Sequence, residues 1–264
     1  MDLKLKDKVV AISGGTSGIG EAVALGFARE GAKVAVCGRK LEKITALDEK
    51  FKAEGFVLTA IQADISKPED NFRFVDEVVA KLGRIDVLIN NAGVNSRKPF
   101  EEYTPEDFQT VVNTDLGSVL YGCQAAAKYM KQQGGGCIIN TSSFTASIPT
   151  CGIAIYSATK AGVEQFTRVF AVELAKDKIR VNAVEPGYVV TPLTQSNVDK
   201  NFDQLVSAIP MKRLSVPEDL VPTYLYLASE EMSSYVTGEV LRVTGGKLAT
   251  QNPHYSYREQ GATY

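Results

Sequence analysis

The sequence of 264 residues predicts an α/β protein in which helices flank both faces of a seven-stranded, mostly parallel sheet. Seven short apolar runs, rich in β-branched residues, indicate buried strands. Segments with apolar residues at helical spacing separate most of these runs, and such alternation requires parallel pairing with right-handed crossovers. Because neither a linker nor an internal repeat interrupts the chain, we expect a single doubly wound domain over residues 1–264.

Three strand–helix units open the chain. The run KVVAISG is the first predicted strand, and the helix after it extends over Gly18–Glu30 and ends at Gly31. The second unit joins the strand KVAVCG to a charged amphipathic helix over Lys40–Glu54, which Gly55 closes. The third joins the strand FVLTAIQA to a helix over Pro68–Leu82, and the strand IDVLINNAG follows.

The second half of the chain continues this alternation. A helix predicted from Pro105 to about Lys131 precedes the strand CIINTSS, and a helix from Tyr156 to about Lys176 precedes IRVNAVEPG. A polar segment from Thr191 to about Ala208 follows, and a helix over Pro217–Ala228 leads to the last strand, GEVLRV. The motifs described below lie at or after carboxyl ends of strands, where doubly wound sheets bind ligands.

Composition and charge exclude several classes of protein. The net charge of −2 with mixed signs gives no concentrated basic face for nucleic acid. The N-terminus lacks a signal-peptide pattern and no apolar run reaches the ~20 residues that span a bilayer, so we expect a cytoplasmic protein without a membrane partner. The single histidine, His254, lies in the polar tail, and neither a metal site nor a Ser-His-Asp hydrolase is expected. The cysteines are predicted to be buried free thiols: Cys37, Cys123, Cys137 and Cys151.

A glycine-rich loop follows the first strand and opens a helix. Glycine allows the main chain to approach a ligand closely, and the free N–H groups of a helix N-terminus suit a pyrophosphate. The segment SGGTSGIG has these properties and adds two hydroxyl donors, although a tight turn alone also explains glycines. The predicted dinucleotide contacts here are Gly14, Thr16, Ser17, Gly18, Ile19 and Gly20.

This segment resembles the TGxxxGIG signature of the short-chain dehydrogenase/reductase family, with Ser13 in place of threonine. The resemblance extends over roughly residues 5–246, with motifs in the expected order and spacing. It implies a Rossmann fold, a nicotinamide cofactor and hydride transfer. It also implies a homodimer or homotetramer. Thr244 departs from the family pattern, because an aspartate is usual there.

The residues after the second strand bear on the choice of nicotinamide. Gly38 stands where an acidic residue would select NAD, and Arg39 follows it. Arg39 can pair with a 2′-phosphate, which predicts NADP(H), with NAD(H) and a solvated surface arginine as the alternatives. The resemblance assigns adenine contacts to Asp64 and Ile65, although Asp64 also suits a turn. Further cofactor contacts implied by the resemblance are Asn91, Ala92 and Gly93 of the NNAG motif, Pro186, Gly187, Val189, Thr191, Tyr156 and Lys160.

The candidate catalytic residues lie around the fifth and sixth strands. Tyr156 and Lys160 are four residues apart and share one face of a helix, where an ammonium lowers the pKa of a phenol and makes it a better acid or base. The spacing matches Ser143 to the family's substrate-orienting serine, with Ser142 as the adjacent alternative. The resemblance gives Asn113 a proton-relay role through a bound water.

The expected reaction is hydride transfer between nicotinamide and a carbonyl or secondary alcohol. Residues 148–155 are largely apolar and lack a cationic clamp, which favours a neutral ketone: a steroid, cyclic or sugar-derived one. Phe144 and Tyr188 are candidates for stacking on a ring. Alternatives are a 3-oxoacyl-thioester reductase, a non-catalytic NADP-binding sensor, and an epimerase or dehydratase. Residues 190–212 are the predicted substrate loop, and the tail 248–264 is either disordered or reaches a neighbouring subunit.

Overall fold

The sheet determines where ligands can bind in this protein. The computed structural model describes residues 2–249, in which seven strands form one sheet of order β3-β2-β1-β4-β5-β6-β7. All neighbouring strands are parallel, so the predicted doubly wound α/β fold is confirmed. The strands are β1 Val9–Ser13, β2 Lys33–Gly38, β3 Leu58–Gln62, β4 Val87–Asn90, β5 Gly136–Thr141, β6 Ile179–Pro186 and β7 Val240–Val243. The strand order reverses between β1 and β4, and sheets of this kind bind ligands at the carboxyl ends beside that reversal.

Helices cover both faces of the sheet. They are α1 Gly18–Arg29, α2 Leu41–Ala53, α3 Pro68–Leu82, α4 Pro105–Val112, α5 Ser118–Gln133, α6 Ala154–Leu174, α7 Gln195–Ser207, α8 Val221–Ala228 and α9 Glu230–Ser233. On one face α3, α5 and α6 bury side chains such as Phe74, Met130 and Val163, and on the other α1, α2 and α8 bury Phe27 and Tyr224 among others. The ends of the strands therefore remain free for the loops that build a site.

Three segments differ from the sequence prediction, and the smallest difference is that the helix expected over Pro217–Ala228 begins as a 3₁₀ turn at Pro217–Asp219 before α8. The helix expected from Pro105 to about Lys131 is three pieces, because a π-helical turn at Asn113–Gly117 separates α4 from α5. Such turns insert one extra residue and often occur at functional sites. The polar segment from Thr191 to about Ala208 contains α7, whose Val198 packs on Ile209 and Leu214 in a small separate cluster.

The remaining structural expectations concern cysteines, membranes and the tail. All four cysteines are unpaired, but only three are buried, because Cys151 is exposed in the loop before α6. Within residues 2–249, no helix is long and apolar enough to cross a membrane. His254 and residues 250–264 of the tail lie outside the described residues.

Candidate active site

A cavity of about 510 Å³ opens at the carboxyl ends of the strands. Its wall brings together residues that are far apart in the chain, as expected for a doubly wound sheet. The predicted site residues that line it are Gly14, Thr16, Ser17, Gly18, Ile19, Arg39, Asp64, Ile65, Asn91, Ala92, Gly93, Ser143, Tyr156, Lys160, Pro186, Gly187, Val189 and Thr191. Two predicted residues, Gly20 and Asn113, are not part of this wall in the described structure.

The glycine-rich loop is shaped for an anion at the start of α1. Ser17 is the N-cap residue, but its side chain caps no backbone N–H, so the first N–H groups of the helix are left for a ligand. Gly14 and Gly18 have φ of 65° and 57°, in the left-handed region that favours glycine. Gly20 serves a different purpose: a Cβ there would be 2.5 Å from Asn91 Nδ2, so glycine is needed for packing rather than for ligand contact.

The NNAG motif ties this loop to the centre of the sheet. Asn90 donates to Asn140 Oδ1 at 2.9 Å, and the Asn140 amide donates in turn to Thr167 Oγ1 at 2.9 Å. Asn91 instead donates to the Gly14 carbonyl at 3.1 Å, and its own N–H bonds the Ser13 hydroxyl at 3.2 Å. The first asparagine therefore satisfies buried polar groups of the sheet, and the second holds the glycine loop.

Positive charge collects at the end of the cavity beside β2. Arg39, Lys40 and Lys43 all line it, and the guanidinium of Arg39 forms no ion pair among the described residues. A Cβ on Gly38 would be 2.8 Å from Thr16 Cγ2, which leaves little room for the carboxylate that selects NAD. This end of the cavity suits a phosphate group.

The opposite end is built by the chain that follows β6. Thr194 Oγ1 donates to the Val189 carbonyl at 2.6 Å and accepts from Thr191 N–H at 2.9 Å. The Val189 carbonyl is thus occupied, whereas no described residue accepts a bond from its N–H.

Asp64, beside β3, is held by a turn in which Ser66 Oγ donates to its Oδ1 at 2.8 Å.

Two adjacent serines follow β5 and have different partners. Ser143 Oγ accepts hydrogen bonds from Thr145 N–H at 3.3 Å and from Thr145 Oγ1 at 3.1 Å. Its own proton is therefore available to a group in the cavity. Ser142 Oγ donates to the buried carboxylate of Glu164 at 2.9 Å. Of the two hydroxyls, only that of Ser143 is free to donate to a ligand.

Tyr156 and Lys160 face the same cavity from α6. The ammonium of Lys160 lies 5.5 Å from the centre of the Tyr156 ring and donates to the Thr141 carbonyl at 3.0 Å. Burial raises the pKa of Tyr156, the charge of Lys160 lowers it, the carboxylate of Asp115 raises it, and the Ser143 hydroxyl, which can donate to the phenolate, lowers it. The cavity thus holds a free hydroxyl proton, a phenol and a cation close together, which is a set of groups for proton transfer.

Comparison with known proteins agrees with this geometry. A family model described as enoyl-(acyl carrier protein) reductase matches residues 14–247. A solved structure of a short-chain type dehydrogenase/reductase from Mycobacterium marinum is 35% identical, with a TM-score of 0.90 over 94% of this chain and 98% of that one. The chain belongs to the short-chain dehydrogenase/reductase family. This confirms the resemblance of the glycine-rich segment, and members of the family are oxidoreductases acting on CH–OH and C=O groups with a nicotinamide cofactor.

Named relatives of this short-chain dehydrogenase/reductase act on different compounds. A 3alpha-hydroxysteroid dehydrogenase of Mediterraneibacter gnavus is 38% identical over 93% of this chain and 98% of its own length. A 3-oxoacyl-(acyl-carrier-protein) reductase of Thermotoga maritima is 39% identical over 92% of this chain and 99% of its own. A solved gluconate 5-dehydrogenase of Burkholderia cenocepacia, in complex with NADP and tartrate, is 31% identical over 94% and 98%, with a TM-score of 0.89.

The proton-relay role predicted for Asn113 runs through a bound water and stays a prediction. The side-chain oxygen of Asn113 accepts a hydrogen bond from Gln109, one turn earlier on the same helical segment, and it does not reach Lys160. Asp115, two residues later, is the residue of this turn that meets the ammonium, with Oδ2 3.6 Å from Lys160 Nζ. The π turn thus directs the carboxylate of Asp115 toward the ammonium of Lys160.

The sequence prediction did not include two residues of the site in this short-chain dehydrogenase/reductase. Asp115 is the only acidic residue in the stretch VVNTDLGSVL, and a lone carboxylate among uncharged residues is the signal that would have found it. Arg97 lines the cavity and donates to the Cys151 carbonyl at 3.3 Å. Residues 148–155 contain no cation, but the loop after β4 adds one, Arg97, to the cavity wall.

Proposed function

We propose that this enzyme reduces a neutral ketone, or oxidises the matching secondary alcohol, with NADP(H). The observation that supports it best is the free Ser143 proton in a cavity that also holds the Tyr156 phenol and the buried Lys160 ammonium. NADPH, when bound, supplies the hydride that the carbonyl carbon accepts. The carbonyl oxygen then takes one proton, so a carbonyl becomes an alcohol with atoms and charge in balance.

The three catalytic residues have distinct roles in this proposal. Ser143 donates its hydroxyl proton in a hydrogen bond to the substrate oxygen and stabilises the charge that develops there. Tyr156 transfers its phenolic proton to that oxygen, and in the reverse direction the phenolate accepts it. Lys160 stabilises the phenolate with its positive charge and, by family resemblance, bonds the ribose of the cofactor.

The preference for NADP(H) over NAD(H) is supported by charge and by space. Three cations line the end of the cavity beside β2, and the position before Arg39 has little room for an acidic side chain. A relative of known structure holds NADP. Asp64 and Ile65 are proposed to contact the adenine, and the Val189 N–H and Thr191 the nicotinamide carboxamide.

The substrate end of the cavity supports an apolar ring or chain. Phe144 and Tyr188 pack with their ring centres 6.1 Å apart, and Ile153 and Leu193 add apolar surface. This lining and the steroid-acting relative favour a neutral ketone. Arg97 at the same cavity favours the second candidate, a 3-oxoacyl-thioester reductase, because carriers of such thioesters bear phosphate, and one relative has that activity.

We also propose the setting in which this reaction occurs. Residues 190–212 act as the substrate loop of a single domain, and the exposed apolar side chains Phe108, Val169 and Val172 of α4 and α6 support assembly into a homodimer or homotetramer. Four unpaired cysteines support a cytoplasmic location. Mass measurement of the native protein in solution tests the assembly.

The test of the reaction follows nicotinamide absorbance with NADPH and with NADH against steroids, cyclic ketones, sugars and 3-oxoacyl thioesters. Tyr156→Phe is the control, because it keeps the ring and removes the transferable proton. We expect turnover with NADPH that the control loses. Tight NADPH binding without turnover of any carbonyl, or of any alcohol with NADP⁺, would indicate the non-catalytic sensor instead.

A further inference from the structure

Asp115 is a buried carboxylate that has no task in the mechanism proposed above. Its exposed fraction is 0%, and Oδ1 accepts a hydrogen bond from Val94 N–H at 2.8 Å. Oδ2 forms no hydrogen bond within residues 2–249 and lies 3.6 Å from Lys160 Nζ. A buried carboxylate is costly unless it is paired, and the attraction to Lys160 together with the hydrogen bond from Val94 offsets part of that cost.

Two features of the backbone bring this carboxylate to the ammonium. The π turn at Asn113–Gly117 carries Asp115 inward while Thr114 reaches the cavity wall. Gly93 forms the rest of the enclosure, and a Cβ there would be 3.0 Å from Asp115 Oδ2 and 3.5 Å from Lys160 Nζ. A side chain at residue 93 would therefore press on the ion pair from the cavity side.

The ammonium of Lys160 has few other partners. Its side chain is 4% exposed and donates one hydrogen bond, to the Thr141 carbonyl. The phenol of Tyr156 and the carboxylate of Asp115 both lie close to it. The positive charge of Lys160 is therefore shared between a group that the reaction uses and one that it does not.

Other titratable groups near this cluster have partners of their own. On α6, Glu164 bonds Ser142 and pairs with Arg168 at 3.3 Å. On the β6 side, the Tyr188 hydroxyl bonds Asn197, and beyond β7 Lys247 lies over the Phe144 ring. Arg97, in the loop after β4, donates to the Cys151 carbonyl. Cys151, in the loop before α6, has an exposed thiol. The charges that act on Tyr156 are those of Lys160 and Asp115.

We propose that Asp115 is a positioning residue for Lys160, and that its carboxylate limits how strongly the ammonium stabilises the Tyr156 phenolate. The carboxylate holds the ammonium against the Thr141 carbonyl and offsets part of its charge. This role rests on the proposed function, because it describes the proton-transfer group of that reaction. It predicts a more basic phenol than a neutral side chain at position 115 would give.

The predicted effect has a definite sign. Burial raises the pKa of Asp115 to about 6, so at neutral pH its carboxylate is mainly ionised. Asp115→Asn keeps the shape and removes the charge, which leaves the full charge of Lys160 to the phenolate. We expect the pKa of Tyr156 to fall by on the order of one pH unit in the variant. Alcohol oxidation, which needs the phenolate, then reaches its plateau at lower pH.

The experiment compares wild type, Asp115→Asn and Glu164→Gln. Glu164→Gln is the matched control, because it also neutralises a nearly buried carboxylate but one paired with Arg168. The first readout is kcat/KM for alcohol oxidation as a function of pH. The second is ultraviolet titration of the phenol of Tyr156, taken as the difference between each protein and its Tyr156→Phe counterpart. Asp115→Ser provides a second neutral variant if the asparagine disturbs folding.

The outcomes separate this inference from the proposed function. A lower pH midpoint in both readouts for the Asp115 variants, with Glu164→Gln unchanged, is the expected result. Coinciding midpoints for wild type and the Asp115 variants would overturn it, as would an equal shift in Glu164→Gln. If wild type turns over no carbonyl or alcohol, the proposed function fails, and the phenol titration still decides the electrostatic role of Asp115.

Discussion

The two serines after β5 give opposite expectations when each is replaced by alanine. Ser143 Oγ receives two hydrogen bonds from Thr145, which leaves its proton for the substrate oxygen. Ser142 Oγ donates to the buried Glu164 carboxylate instead. We expect Ser143→Ala to lower kcat with little loss of stability, and Ser142→Ala to lower stability with little loss of kcat.

The magnitudes follow from what each hydroxyl contacts. Removing one preorganised donor from a developing oxyanion lowers kcat by about 10²–10³-fold, or roughly 2.7–4 kcal/mol. A hydrogen bond to a carboxylate contributes about 1.5–3 kcal/mol to stability. The lower value applies to Ser142, because the Glu164 carboxylate still accepts a hydrogen bond from Arg168 at 3.3 Å after the Ser142 hydroxyl is removed. Such a loss lowers the Tm of a chain of this length by roughly 3–6 °C.

The assay is steady-state kcat with the best carbonyl of the panel, together with thermal unfolding of the same preparations. The double variant should show both effects at nearly their single-variant sizes, since the two hydroxyls share no partner. If Ser142→Ala abolishes turnover while Ser143→Ala keeps it, the donor to the substrate is Ser142, and the assignment of the free proton to Ser143 is wrong.

Three further changes test other parts of the molecule. Arg39→Gln removes one of three cations and should raise the KM for NADPH about tenfold while leaving that for NADH unchanged; equal changes in the two steady-state KM values would contradict a 2′-phosphate contact. Asn140→Leu removes one hydrogen bond each from Asn90 and Thr167 and should lower the free energy of unfolding by about 1–3 kcal/mol in urea titrations; a loss within error of zero would show that the network contributes nothing. Because the pKa of Asp115 rises from 3.8 to about 6 on folding, the folded protein binds more protons in that range. The free energy of unfolding of the wild type should therefore fall by up to roughly 3 kcal/mol as pH rises from about 4 to 6, whereas that of Asp115→Asn should not. Parallel pH–stability curves for the two proteins would refute the raised pKa.

Parts of the fold with local signals could be predicted closely. The bounds of α3 agree with the prediction at both ends, because Pro68 favours the first helical turn and Gly83 ends the helix at φ 84°. The π turn could not be predicted, since one inserted residue leaves the apolar spacing of the long helix almost unchanged. The helix α7 was not predicted because its sequence is mainly polar, although Val198, Leu205 and Val206 recur at helical spacing and pack with Ile209 and Leu214.

The sequence alone determined the alternation of strands and helices, the glycine loop, and the Tyr156–Lys160 pair. Those features depend on short residue spacings along the chain, and such spacings determine local backbone structure directly. Tertiary structure alone decided which serine keeps a free proton, that Asp115 rather than Asn113 meets the ammonium, and that Arg97 reaches the cavity. These outcomes depend on hydrogen bonds and ion pairs between segments brought together only when the sheet forms, and no spacing along the chain encodes such contacts.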